Sequence, residues 1–421
     1  MKYLNLDESS LQSVLAEEKK KHTEYVAQNL KVDITRGKPC KEQLDIALPM
    51  FDVINSSLNY TPDYRNYGGV DGIAEMKNIF AEILGVSPKN VIVGDNSSLS
   101  LMYDTVQRAL QFGLQGNKPW NKLQKVKFLC PVPGYDRHFG ICESFGIEMI
   151  TVPMDSNGPD MDIVETMVAN DDSIKGIWCV PKYSNPSGIT YSDEVVERLC
   201  KMTTLAKDFR VFWDNAYVVH DLYDETDHLL NAFECATKYG NEDRFFIFTS
   251  TSKITLPGAG VACMACSESN VKEALAVMKY KTIGPNKVVQ LMHYLYLQDI
   301  ANIHEIMKRQ AKIIRPKFEY VLANLESNFI NGDIVSWTKP RGGYFISINL
   351  LKGCAKAVYG ICKEAGLIIT EAGATYPLRN DDFDSNLRIA PTFTSQTDLI
   401  VACDIMVNSI KIACIEKILK K

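Results

Sequence analysis

One lysine stands out in this chain for the chemistry it could do. The apolar run Phe245-Phe-Ile-Phe-Thr249 leads into Ser250-Thr-Ser-Lys253 and then Pro257-Gly-Ala-Gly260. A lysine held between small hydroxyls and a glycine-rich turn is partly desolvated, which lowers its pKa and makes its amine nucleophilic. The hydroxyls and backbone N–H groups beside it can hold a phosphate. An ordinary surface lysine at a strand end fits the same residues. A second run, Phe209-Arg-Val-Phe-Trp213, ends in Asp214-Asn-Ala-Tyr217. A carboxylate directly after a buried aromatic strand is costly unless it meets a cationic partner such as a protonated ring nitrogen; a helix N-cap is the plainer alternative. Asn185, before Pro186, is aimed by a rigid turn, although plain turn chemistry by itself accounts for this segment. The segment Gly94-Asp-Asn-Ser-Ser-Leu99 opens a helix, where free N–H groups attract anions. A capping role for Ser98 explains it equally well. Pro133-Gly-Tyr135 offers an aromatic ring.

These groups all follow short apolar runs, and those runs alternate with helix-like segments. Strands are predicted at Val91–Val93, Lys127–Pro131, Gly176–Val180, Arg210–Trp213, Phe245–Thr249 and Val261–Cys266. Buried strands alternating with helices predict an α/β fold with a mostly parallel sheet. Ligands of such sheets collect at the C-terminal strand ends, where these polar residues lie. From about 288 to 327 the pattern turns helical, and the remainder reads as a smaller α+β unit, against which a helix over about 8–30 packs unless it meets a partner subunit. The expected division is 1–50 and 291–421 in the smaller domain and 51–290 in the larger.

Composition narrows the function by exclusion. The 421 residues suffice for two or three domains at roughly 150 residues each. A net charge of −5 gives no electrostatic reason to expect nucleic acid or an anionic membrane. The twelve cysteines fall singly and mostly inside apolar runs, the first ten residues lack a signal-peptide apolar core, and no apolar run reaches the ~18 residues of a membrane span. A cytoplasmic protein with reduced thiols is expected. Cys263-Met-Ala-Cys266 lies in a strand whose alternation sends its sulfurs to opposite faces, and the six histidines show no ligand spacing, so no metal is expected. No Gly-x-Gly-x-x-Gly follows a strand and no Walker loop is present, which argues against dehydrogenases and NTPases.

In this order, Asn185-Pro-Ser-Gly188, Asp214-Asn-Ala-Tyr217 and Ser250-Thr-Ser-Lys253 resemble the signature of fold type I pyridoxal-phosphate aminotransferases, class I/II. Tyr67 with Gly72, Pro133-Gly-Tyr135, Arg341-Gly-Gly-Tyr-Phe345, Ala372-Gly-Ala-Thr-Tyr-Pro377 and Leu387-Arg388 extend the match over about 30–395. Thr35-Arg-Gly-Lys-Pro39, Arg65-Asn-Tyr-Gly-Gly69 and Ser252-Lys-Ile-Thr255 are most similar to a divergent bacterial aspartate aminotransferase-like subgroup.

The resemblance implies a large domain with a seven-stranded, mostly parallel sheet between helices, and a homodimer. It implies that Lys253 forms the Schiff base with pyridoxal 5'-phosphate and then shuttles a proton. Asp214 would pair with the pyridine nitrogen, Tyr217 and Asn185 with the phenolic oxygen, and Tyr135 would stack on the ring. Ser97, Ser98, Ser250 and Ser252 would hold the phosphate, with Tyr67 reaching in from the partner subunit. Arg388 would clamp the substrate α-carboxylate, Asn185 lying beside it, and Gly37 would line the substrate side. One departure concerns the loop Lys253-Ile-Thr-Leu-Pro-Gly-Ala-Gly260, which lacks the family's phosphate-binding arginine; Gly260 takes its place and Lys287, of the same or the neighbouring subunit, is the candidate replacement. Arg36 is the first candidate for a distal carboxylate, ahead of Lys38, Arg137 and Arg341. The implied activity is amino transfer between aspartate or glutamate and a 2-oxo acid such as 2-oxoglutarate. Another fold type I activity, such as a β-lyase, or a cofactor-binding regulator without catalysis, are the alternatives.

Overall fold

The structure is a computed structural model that describes residues 2–420. Its main sheet has eight strands in the order Val91–Val93, Ala262–Ala265, Phe245–Ser250, Arg210–Asp214, Ile174–Cys179, Lys127–Val132, Glu148–Asp155 and Gly158–Pro159. The five from Phe245–Ser250 to Glu148–Asp155 are mutually parallel. Ala262–Ala265 runs against both its neighbours, and Gly158–Pro159 runs against Glu148–Asp155. The expected seven-stranded sheet is therefore corrected to eight strands with mixed edges. Glu148–Asp155 escaped the sequence because it lies near the edge and has a single buried residue rather than a continuous apolar run. Its Pro153 is tolerated so close to the edge.

The strand sequences explain why the centre of this sheet is covered on both faces. Along Phe245–Ser250, Phe245 and Ile247 enter one core and Phe246 and Phe248 the other. Each such buried side chain contributes about 1.5–3 kcal/mol. The first core is closed by helices Ala74–Leu84, Met161–Asn170 and Asp193–Lys201, the second by Ser98–Phe112, Asp136–Ser144 and Glu268–Lys281. Cys263 lies in the first core and Cys266 in the second, so their sulfurs are on opposite faces. All twelve cysteines are buried and free.

Both ends of the chain build the remaining core. Val32–Asp33 pairs in parallel with Leu367–Ile368. Val335–Trp337, Ile346–Leu350 and Asn386–Ile389 form a three-stranded antiparallel sheet. Helix Glu8–Ala27 packs on helix Gln396–Leu419. The long helix Ile300–Asn328 joins the two regions: Ile303 and Ile306 sit in a main-sheet core, whereas Phe318 and Leu325 sit in the terminal one.

Candidate active site

The parallel strands end in one cavity of about 690 Å³. Tyr135 comes from the turn after Lys127–Val132, Asn185 from the loop after Ile174–Cys179, and Asp214 is the last residue of its strand. Ser250 ends Phe245–Ser250, and Lys253 lies in the following turn. The terminal region closes the cavity from the other side with Arg36, Gly37, Phe345 and Arg388. Of the residues expected from sequence, Ser97, Ser98, Tyr135, Asn185, Asp214, Tyr217, Ser250, Ser252, Lys253, Arg36, Gly37 and Arg388 all line it.

Lys253 is held by packing and by a frame of buried hydrogen bonds. Its Nζ lies 5.0 Å from the Tyr217 ring centroid and 5.9 Å from that of Tyr344. Desolvation lowers its pKa, with Asp214 opposing the shift. The turn is anchored from below, where the hydroxyls of Thr251 and Thr255 lie 3.0 and 2.8 Å from His293 Nε2. Gln310 donates to the Ile254 carbonyl at 2.7 Å, and Gln43 donates to both Gln310 Oε1 and the Tyr344 hydroxyl at 2.8 Å. A lysine on so fixed a turn presents its amine at a defined point of the cavity.

Asp214 caps no helix; a turn follows it. Its Oδ2 lies 2.9 Å from Nε2 of His138, which stacks on Trp178 at 4.5 Å between centroids. Its Oδ1 is buried with no protein partner. A carboxylate on a cavity-lining residue, with one oxygen fixed and the other buried without a partner, has an acceptor left for a bound group. A protonated pyridine nitrogen supplies that donor, so the residues present fit pyridoxal phosphate. Tyr217 is fully enclosed, and burial, with Tyr135 and Asp214 nearby, pushes its hydroxyl pKa well up and keeps it a neutral donor. His138 was missed from sequence: a lone histidine early in a helix carries no sign of a partner 76 residues away.

At the opposite end, Ser97 rather than Ser98 is the N-cap of Ser98–Phe112, its extended backbone letting the hydroxyl accept from Ser100 N at 3.2 Å. Ser250 Oγ donates to Ser252 Oγ at 3.1 Å. These hydroxyls and the helix N-terminus together suit a phosphate. A Cβ at Gly260 would stand 3.3 Å from Ser252 Oγ, which puts the arginine-less position beside this cradle. Tyr67 and Lys287 do not reach the cavity in their own chain. They line a separate surface recess with Tyr64, Gly284 and Asn286, where Tyr67 is 80% exposed.

Arg388 donates from Nη1 to Asn185 Oδ1 and Asp136 Oδ1, each at 3.2 Å, and its guanidinium lies over the Phe345 ring at 4.9 Å. A Cβ on Gly37 would overlap that ring, so any larger residue there would displace the Phe345 side chain. Among the other cations, Lys38 and Arg137 line the cavity, Lys38 with its Nζ 3.7 Å above the Phe393 ring. Arg341 is turned away, paired with Glu225 and Asp227 at 3.0 and 3.5 Å.

A family model described as aspartate amino-transferase matches residues 6–421. The chain is 45% identical over 404 residues to the aspartate aminotransferase of Corynebacterium glutamicum, covering 94% of this chain and 93% of that one. The crystal structure of an aspartate transaminase from C. glutamicum superposes with a TM-score of 0.96 at 43% identity, covering 99% of each chain. The fold, at 19% identity, also matches an alpha-aminoadipate aminotransferase from Thermus thermophilus solved with N-(5'-phosphopyridoxyl)-L-leucine; the TM-score is 0.75, over 93% of this chain and 94% of that one.

Proposed function

The chain belongs to the aspartate aminotransferase family and is an aminotransferase; we propose that it uses pyridoxal 5'-phosphate to move an amino group from aspartate or glutamate to a 2-oxo acid such as 2-oxoglutarate. The observation that carries this reading is the pairing, on one cavity's lining, of a desolvated Lys253 amine with an Asp214 whose Oδ1 is buried and unpartnered. When bound, pyridoxal phosphate supplies a ring that accepts the electrons left at the amino acid's α-carbon. Every other task falls to the chain.

Asp214 Oδ1 accepts the ring N–H and keeps it protonated, while His138 fixes the carboxylate's orientation. Tyr217 and Asn185 would donate to the phenolic oxygen, and Tyr135 would pack against the ring. Ser97, Ser98, Ser250 and Ser252 bind the phosphate, helped by Tyr67 and Lys287 from a second subunit of a homodimer. Lys253 Nζ would hold the cofactor until substrate replaces it and would then carry the proton removed from the α-carbon; its lowered pKa favours the free amine this needs. Arg388 binds the α-carboxylate through a planar fork. Arg36 meets a distal carboxylate at the cavity mouth, and Gly37 keeps room for the substrate. The large unit over 51–290 carries the cofactor groups, and the smaller unit, from 1–50 and 291–421, carries the substrate groups. Twelve free buried cysteines agree with a cytoplasmic setting.

The test is a titration of the protein loaded with pyridoxal phosphate, followed by visible absorbance. Aspartate and glutamate should convert the aldehyde-form band to the amine form, and 2-oxoglutarate should restore it. Conversion by alanine but not by the acidic amino acids would overturn the assigned donor class. A protein that takes up no cofactor would overturn the mechanism.

A further inference from the structure

The carboxylate clamp already carries a carboxylate of its own. Asp136 is the first residue of helix Asp136–Ser144 and lines the cavity. Its Oδ1 accepts from Arg388 Nη1 at 3.2 Å, and its Oδ2 lies 3.8 Å from Arg137 Nε. Its two oxygens therefore face two different guanidinium groups. The Arg388 side chain is 10% exposed, that of Asp136 36% and that of Arg137 62%. Arg388 is thus fixed, whereas the other two have room to move.

Orientation of Arg388 does not depend on Asp136. Asn185 Oδ1 holds Nη1 at 3.2 Å, the Thr370 hydroxyl lies 3.4 Å from Nε, and Phe345 supports the guanidinium plane. An arriving carboxylate would instead face a like charge on the same guanidinium, and like charges repel strongly in a partly closed site. Arg137 lines the same cavity and offers the displaced carboxylate a second cation. The helix N-terminus favours the Asp136 charge in either position, so the transfer costs little.

We propose that Asp136 occupies Arg388 in place of the substrate's α-carboxylate and passes to Arg137 when that carboxylate arrives. The inference rests on the reading of Arg388 as the α-carboxylate clamp. Asp136 then acts through Arg388 and sets a threshold for anions. An amino acid exceeds it through its other contacts, whereas a bare carboxylate must displace Asp136 unaided.

The experiment measures competitive inhibition of the holoenzyme by propionate, an inert monocarboxylate, together with KM for the amino donor. Arg388→Ala should weaken propionate; if it does not, the clamp itself is misassigned and the inference falls with it. With that control satisfied, Asp136→Asn should tighten propionate by about two- to fivefold, the span given by freeing one partly exposed ion pair, and lower the donor KM. A residue that merely orients Arg388 gives the opposite sign, so weaker or unchanged binding overturns the proposal while leaving the clamp intact. Arg137→Ala should weaken propionate in the native background and have no effect beside Asp136→Asn. Equal effects in both backgrounds would overturn the transfer to Arg137. Should Asp136→Asn fail to fold by circular dichroism, Arg137→Ala alone still decides: unchanged inhibition rejects the transfer.

Discussion

At the scale of single residues, function follows from where burial leaves a polar group unfinished. Asp214 has one oxygen on His138 and one without a partner. Lys253 has an amine that its surroundings make costly to protonate. Under the proposed function the first accepts the cofactor's ring N–H and the second is the nucleophile toward its aldehyde. His138 acts through Asp214, so His138→Ala should lower kcat/KM by about 10- to 100-fold, the cost typical of losing a group that orients a primary ligand. His138→Asn, which can still donate to Asp214 Oδ2, should recover part of that loss. Steady-state kinetics with aspartate decide it, and an unaltered His138→Ala enzyme would show that Asp214 needs no support.

At the scale of elements, the turn after strand Phe245–Ser250 matters most, and its anchor is a buried histidine. Burial pushes the pKa of His293 down to about 4. The unfolded chain takes up that proton near the ordinary value of about 6.5, whereas the folded chain resists until about 4. Stability carried by His293 is therefore complete above pH 6.5 and falls as pH drops toward 4, by of order 3 kcal/mol. His220, pushed down to about 3 by burial and the nearby Lys253, adds to the same acid slope. Denaturant titrations between pH 7 and 4 should show a shallower slope for His293→Gln; an unchanged slope would contradict the assignment. The sequence revealed elements where burial was continuous and hid them where it was not. Phe245–Ser250 is legible because both of its faces are covered. Glu148–Asp155 and the short Val335–Trp337 lack such a run and were missed. Asp214 was legible as a charge ending an apolar strand, whereas His138 and His293 depend on partners far away in sequence.

At the scale of the whole molecule, one chain holds most of the site but not all of its expected groups. Tyr67 and Lys287 share a recess away from the cavity, together with the exposed Ile283 and Val288. Delivery of Tyr67 across a dimer predicts complementation. Lys253→Ala and Tyr67→Ala subunits, each nearly inactive alone, should on mixing and exchange form hybrids with one intact site and regain about a quarter of native activity, as random pairing of two subunit types requires. No recovery, with hybrids present by native mass spectrometry, would leave Tyr67 acting within its own chain. The central claim is that the Lys253 amine holds the cofactor aldehyde, and it is tested most directly by borohydride reduction of the holoenzyme followed by peptide mass spectrometry. The structure predicts a phosphopyridoxyl group fixed on Lys253, and none on the Lys253→Ala protein. Attachment to another lysine, or to none, would contradict it.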